Sequence, residues 1–144
     1  MEDAFENQKK GISKTYLWFH KPTNNLVAYV TILVDAIRVH GTKLGISFED
    51  KGIIYKTMPA LKIGRLCVSD RYQHKNIGTY IIIFVMNILL KINEKVGCRF
   101  LVTDAKKESI HFYRKKSFLV LKERLKGTIP MYFDMIKEIE YFKK

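Results

Sequence analysis

Cysteine is scarce in this chain. Cys67 and Cys98 are the only two and stand far apart. That is neither a metal-binding spacing nor a disulfide framework, and it points to a reduced, cytoplasmic protein. Long hydrophobic runs are missing too. The most apolar stretch, Tyr80 to Leu90, is interrupted by Asn87 and closed by Lys91. It falls short of the ~20 apolar residues of a membrane span and reads as a buried helix. The start, MEDAFENQKK, is acidic and polar and does not read as a signal peptide. No repeat, low-complexity tract or linker divides the sequence, so residues 1–144 are expected to form a single domain. The phosphate-binding G-K-[ST] and the dinucleotide pattern G-x-G-x-x-G are also absent, which argues against a mononucleotide kinase or a nicotinamide enzyme.

Acidic residues are in deficit, 14 against 26 Lys plus Arg, for a net charge of +12. Such an excess favours anionic partners: nucleotide phosphates, nucleic acid or acidic protein surfaces. It does not choose among them. Apolar residues make up 47% of the chain, enough at this length to bury a core.

The order of elements is partly legible. Glu2 to Lys10 reads as a short helix ended by Gly11. Thr15 to His20 (TYLWFH) is aromatic and β-favouring, and Leu26 to Val34 (LVAYVTILV) is a second strand. The turn Lys21-Pro22-Thr23-Asn24-Asn25 between them predicts an antiparallel hairpin. Asp35 to Pro59 is expected to form an excursion of short strands or turns. Leu61 to Val68 is a third strand, Ser69 to Lys75 a polar loop, and Asn76 to Val96 a helix ended by Gly97. In that helix Ile77, Ile81, Phe84, Ile88 and Ile92 recur at spacings of three and four. A strand follows over Arg99 to Asp104, a two-turn helix over Ser109 to Lys116, and strands over Phe118 to Lys122 and Met131 to Ile136. The unit from Leu61 to Asp104 is a βαβ crossover, so its two strands should run parallel. The fold class is α/β: a mixed, mostly antiparallel sheet with a central parallel βαβ unit and helices on both faces.

One segment asks for a function. RYQHKNIGTYIII (Arg71 to Ile83) runs from basic and polar straight into the apolar helix. A loop that opens a helix gathers free backbone N–H groups at the positive end of the helix dipole, and together these bind phosphate. Gly78 lets backbone approach a ligand closely. Asn76 tolerates positive φ better than most residues. An ordinary loop with an Asn cap fits the same residues, and the segment alone leaves both readings open.

LCVSDRYQHKNIGTYII resembles the signature of the GNAT acetyltransferase superfamily: an apolar strand, a polar loop, then Q/R-x-x-G-x-G/A opening a helix. Gln73, Asn76 and Gly78 stand at its marked positions, with Asn76 replacing the first glycine. Downstream, ESIHFYRKKSF (Glu108 to Phe118) resembles the family's second motif, F-Y-x-K-x-G-F. Phe112, Tyr113, Lys115 and Phe118 match, and Ser117 replaces the glycine. The two motifs come in the family's order, with one strand between them. PALKIGRL and GCRFLVTDAK also resemble a subgroup close to the acetyltransferase toxins of toxin–antitoxin pairs. Little chain precedes Thr15, so the N-terminal strand and helix of the family are expected to be missing.

The resemblance implies acetyl-CoA as cosubstrate and no metal. Backbone groups of Leu66 and Val68 would pair with the pantetheine arm, where this strand splays from the strand starting at Arg99, and an N–H near Val68 would polarise the thioester carbonyl. Gln73, His74, Lys75, Asn76, Ile77, Gly78 and Thr79 would hold the pyrophosphate. Tyr113 would be the catalytic acid that returns a proton to the departing thiolate; the plainer reading is a half-buried Tyr anchoring its helix. Lys106 stands where the family often has an Asn against the cofactor. No general base is assigned. Asp104, Asp35, His40 and Glu49 are candidates with equally good structural readings, and a bound water is another. His20 and His111 lack metal partners at useful spacing. Cys67 flanks the thioester site, but strand alternation places it opposite Leu66 and Val68, and it reads as core.

The expected function is an N-acetyltransferase acting by direct attack of a primary amine. The acceptor would be a protein, a small molecule or an aminoacyl-tRNA. The alternative is a catalytically degenerate module of the same fold that binds acyl-CoA or a protein. An antitoxin is the partner the toxin-like fragments suggest, no membrane is involved, and a homodimer is an open form.

Overall fold

A computed structural model describes residues 2–52 and 55–143. A helix, α1 (Glu2–Lys9), is followed by a hairpin of β1 (Lys14–His20) and β2 (Asn25–Arg38). The intervening turn carries Asn24 at φ 56°. β2 then pairs antiparallel with β3 (Thr57–Val68) along most of its length. After β3 the chain makes a short 3₁₀ turn (Asp70–Tyr72) and enters α3 (Ile77–Asn93), which crosses over to β4 (Phe100–Ala105). A second 3₁₀ turn (Lys107–Ser109) leads into α4 (Ile110–Lys115). The chain ends through β5 (Leu119–Val120), β6 (Ile129–Asp134) and α5 (Ile136–Phe142). The sheet order is β1-β2-β3-β4-β6-β5. Among the described residues only the β3–β4 pair is parallel, as a crossover through a helix requires.

Alternation along the strands divides the core in two. Leu61, Ile63, Leu101 and Met131 face α3 and α5, which contribute Ile81, Val85, Leu89 and Ile139. Ala60, Phe100 and Val102, one residue out of phase, face α2 (Lys43–Asp50) with its Leu44 and Phe48. The sheet therefore has helices on both faces, as expected. α3 buries Ile81, Ile82, Val85 and Leu89, a stripe at the three-and-four spacing of a helix that lies on a sheet.

Three expectations need correction. The stretch from Asp35 to Pro59 does not form short strands or turns. It extends β2 to Arg38, forms α2, and starts β3 at Thr57; Ile53 and Ile54 lie outside the described residues. α2 contains Gly45, a poor helix former, but the fold demands that glycine. An added Cβ would sit only 1.9 Å from the Val39 carbonyl oxygen. Thr42 caps the helix, its hydroxyl accepting the Gly45 N–H at 3.1 Å. Second, Ile136 opens α5 instead of closing the last strand, because Asp134 turns the chain by accepting the Ile136 N–H at 3.1 Å. Third, Cys67 is exposed. It does lie opposite Leu66 and Val68, but that face is open to solvent at the end of β3.

Candidate functional site

The site begins with a defect in the sheet. Thr31 pairs with Arg65 and Ile32 with Ile63, so Gly64 is one residue too many on β3. A bulge of this kind bends its strand, and glycine suits the crowding: a Cβ here would lie 3.2 Å from Leu33. The parallel pairing of β3 with β4 covers Ala60 to Ile63 and goes no further. Asp104 and Ala105 of β4 continue onto β6 instead. Beyond the bulge, β3 is thus paired on one side only.

The polarity of that free side follows from the ladder. Ser69 N–H donates to the Val27 carbonyl at 2.8 Å. Antiparallel residues alternate between facing the partner strand and facing away, so the backbone groups of Leu66 and Val68 point into the gap. The Val68 carbonyl accepts a hydrogen bond from Gln73 Nε2 at 3.1 Å, and the same nitrogen donates to Asp70 Oδ1 at 3.0 Å. Gln73 therefore folds the loop back onto the strand end. The Val68 N–H has no such partner in the loop.

The loop ends in two left-handed residues, His74 (φ 62°) and Asn76 (φ 63°). Asn76 occupies the cap position of α3 but makes no side-chain cap bond, so it does not act as an ordinary Asn cap. It supplies instead a backbone conformation that glycine adopts freely and Asn tolerates. The first intrahelical bond runs from Tyr80 N–H to the Asn76 carbonyl, 3.1 Å. The amides of Ile77, Gly78 and Thr79 thus open the helix without intrahelical partners. Ser117, the second residue that replaces a family glycine, is also left-handed (φ 68°). Gly78 also has a packing reason to be glycine. A Cβ on it would meet the Phe112 ring at 3.0 Å, so glycine lets α3 seat against α4.

These pieces surround a cleft of about 580 Å³, within the range of small-ligand sites. Leu66, Val68, Gln73, His74, Asn76, Ile77, Gly78, Thr79 and Tyr113 all line it. Lys75 does not; its ammonium lies over the Tyr72 ring, 5.7 Å from the centroid. Tyr72, Glu108, Ser109, Phe112, Lys115 and Lys116 complete the wall and were not among the expected site residues, although all but Tyr72 fall inside the second motif. Tyr113 is 5% exposed, with its ring edge-on to Phe112 (5.1 Å) and Phe118 (5.2 Å). Burial pushes its phenol above the ordinary tyrosine range, and the influence of Thr103 opposes that shift in part. The phenol is therefore protonated at neutral pH.

The candidate bases lie elsewhere. Asp104 and Asp35 approach Lys62 at 2.8 Å and 3.9 Å, on the face of the sheet turned away from α3. His40 pairs with Glu49 of α2 at 3.9 Å. None of the four lines the cleft. Lys106 precedes the second 3₁₀ turn and is also outside the cleft wall. No group of three or more potential metal ligands occurs among the described residues. No helix among them is long and apolar enough to cross a membrane.

No family model and no curated protein matches the sequence. Solved structures do match its shape. AtaT complexed with acetyl-methionyl-tRNAfMet superposes with a TM-score of 0.80 at 20% identity, over 98% of this chain and 81% of that one. A tyrosine-to-phenylalanine mutant of KacT gives 0.81 at 20% identity, with the same coverage. AtaTR bound with acetyl-CoA gives 0.74 at 20% identity, over 96% and 79%. The fold is the GNAT fold. The likeness covers 96–98% of the chain in these three comparisons.

Proposed function

We propose that the chain is an acetyl-CoA-dependent N-acetyltransferase whose acceptor is the α-amino group of an aminoacyl-tRNA. One observation carries this reading. The backbone of Leu66 and Val68, the unpartnered amides that open α3, and the Tyr113 phenol converge on one cleft. Acetyl-CoA has a matching sequence of groups: a pyrophosphate for the helix amides, a peptide-like arm for a strand edge, and a thioester as electrophile.

In that reading Ile77, Gly78 and Thr79 hold the pyrophosphate through their N–H groups, and His74 and Asn76 aim them. Leu66 and Val68 receive the arm as an additional strand would be received. The Val68 N–H stabilises negative charge as it develops on the carbonyl oxygen. Tyr113 gives its proton to the sulfur as the amide bond forms and the carbon–sulfur bond breaks. No member of the candidate base set lines the cleft; Glu108, which does, or a water there takes the proton that the amine loses.

The acceptor rests on two supports: the net charge of +12, which suits a polyanion, and the likeness in fold to AtaT, solved with acetyl-methionyl-tRNAfMet. AtaT has also been solved with the C-terminus of its antitoxin AtaR, which supports an antitoxin partner for this chain. The test is CoA release with acetyl-CoA and charged tRNA, set against uncharged tRNA, free amino acids and peptides. Release with charged tRNA alone is the expected result. Acetyl-CoA that neither raises Tm nor is turned over with any amine would overturn the reading.

A further inference from the structure

A second cleft lies on the other face of the sheet. It encloses about 780 Å³ and is lined by the start of α2, the end of α4 and the connection from β5 to β6. Those three elements bring Lys43, Arg114 and Lys122 to it, against one carboxylate, Glu123. All four side chains are exposed, and none takes part in an ion pair among the described residues. Lys62 and Arg99, by contrast, each have an aspartate at 2.8 Å. Three cations around one concavity repel one another, and a polyanion relieves that repulsion. Tyr132 adds an aromatic wall. It is half-buried, with its ring edge-on to Phe100 and the centroids 6.1 Å apart.

The place of this cleft in the fold gives it an occupant. α4 divides it from the first cleft: Tyr113 lines the one and Arg114 the other. Tyr132 is paired with Val102, and both pack in the cluster under α2. Two residues on along β4, about 7 Å by strand rise, Asp104 reaches Lys62 on that same face. This is the level at which the parallel strands part. Ile63 and Thr103 are their last pair, the Thr103 hydroxyl donating to the Ile63 carbonyl at 3.1 Å. The second cleft therefore opens beside the mouth of the splay on the face that α3 does not cover. A cofactor seated from the α3 side leaves that mouth to the acceptor. We propose that the cleft seats the end of a single-stranded RNA, with Lys43, Arg114 and Lys122 on its phosphates and Tyr132 against a base. Stacking on a side chain needs a base free of its duplex. For the chemistry at the end of that RNA the proposal rests on the aminoacyl-tRNA reading above; for binding it does not.

The test is binding of fluorescently labelled, uncharged tRNA, followed by anisotropy over a series of salt concentrations. One variant combines Lys43→Gln, Arg114→Gln and Lys122→Gln. A control with the same loss of charge combines Lys10→Gln, Lys91→Gln and Lys95→Gln, three exposed cations outside both clefts. The cleft variant should bind tRNA about tenfold more weakly or worse at low salt. Its slope of log Kd against log salt should fall by about two, at ~0.7 for each single-strand phosphate contact. The control should stay within about threefold of wild type, and acetyl-CoA affinity within about twofold in both. Equal losses in the two variants overturn the proposal, since charge anywhere on the surface would then serve. So does wild-type protein that binds no tRNA. Displacement of the tRNA by poly-glutamate as readily as by poly(U) also overturns it and assigns the cleft to an acidic protein. Failure of the acetyl-transfer reading is seen separately, as wild-type protein that neither binds acetyl-CoA nor releases CoA.

Discussion

Asn76 offers the sharpest perturbation of the site, because its backbone and its side chain give opposite expectations. At φ 63° and ψ 16° it is left-handed, and its side chain caps nothing. If its work is to turn the chain so that the amides of Ile77, Gly78 and Thr79 open onto the cleft, the side chain is dispensable and the φ value is not. Asn76→Gly keeps the conformation. It should leave acetyl-CoA affinity equal or better and stability within ~1 kcal/mol, the extra freedom of glycine in the unfolded chain being the main loss. Asn76→Val forces a β-branched residue into a region that costs roughly 1–2 kcal/mol. The loop either bears that strain or relaxes to negative φ and turns the amides away. Relaxation transfers the cost to binding, and 1.4 kcal/mol is about tenfold in Kd. Calorimetric titration with acetyl-CoA, beside urea unfolding of the same three proteins, separates the two. Pantetheine, which lacks the pyrophosphate, should bind all three alike. Equal acetyl-CoA affinity for Asn76→Val and wild type, at full occupancy of the folded state, would refute the reasoning.

Other outcomes follow from the same geometry. Gly78→Ala places a methyl about 3.0 Å from the Phe112 ring, so unfolding should show a loss of roughly 1–3 kcal/mol, partly recovered by adding Phe112→Leu. Tyr113→Phe should reduce kcat by ~10²–10⁴-fold while leaving the acetyl-CoA Kd nearly unchanged, read by single-turnover kinetics. The raised phenol pKa of Tyr113 favours the neutral group in the folded state. Its contribution is therefore whole below the unfolded value of about 10 and is lost as pH rises toward the higher folded value. Tyr113→Phe should accordingly flatten the alkaline fall in stability on that flank, measured by unfolding at stepped pH. Cys67 is exposed and Cys98 buried, with burial pushing the Cys98 thiol up. Iodoacetamide should modify Cys67 first in native protein and Cys98 only on unfolding, as peptide mapping would show.

Much of this was legible in the residues. The β1–β2 hairpin, the crossover through α3 and the β4 strand announce themselves through period, turn chemistry and apolar runs. The residues that line the cleft fall in the two segments that resemble family motifs, and only the first of these stands out by local pattern as well. What escaped depended on distant contacts. Gly45 looks like a helix breaker until Val39 is seen against it. Gly78 reads as a loop glycine beside a ligand, and its packing against Phe112 shows only in the fold. Cys67 looks like core because alternation gives its face but not whether anything covers that face. Thr103 carries no local signal: a lone Thr in RFLVTD is an ordinary strand residue, and only the parallel register sets it beside Ile63.

The unfinished pairing of β3 has a consequence for how the sheet breathes. Edges normally lie at the sides of a sheet, where they can be covered or charged; here an edge is opened in its middle by a one-residue bulge. The same strand is locked between two neighbours at Leu61 and Ile63 and held by one at Leu66 and Val68. Protection against solvent exchange should therefore change steeply within a few residues of one strand, since exchange follows local opening. A ligand arm laid along the free side would do what a missing strand does. It would complete the sheet from within, slow exchange at Leu66 and Val68, and stiffen the centre of the molecule.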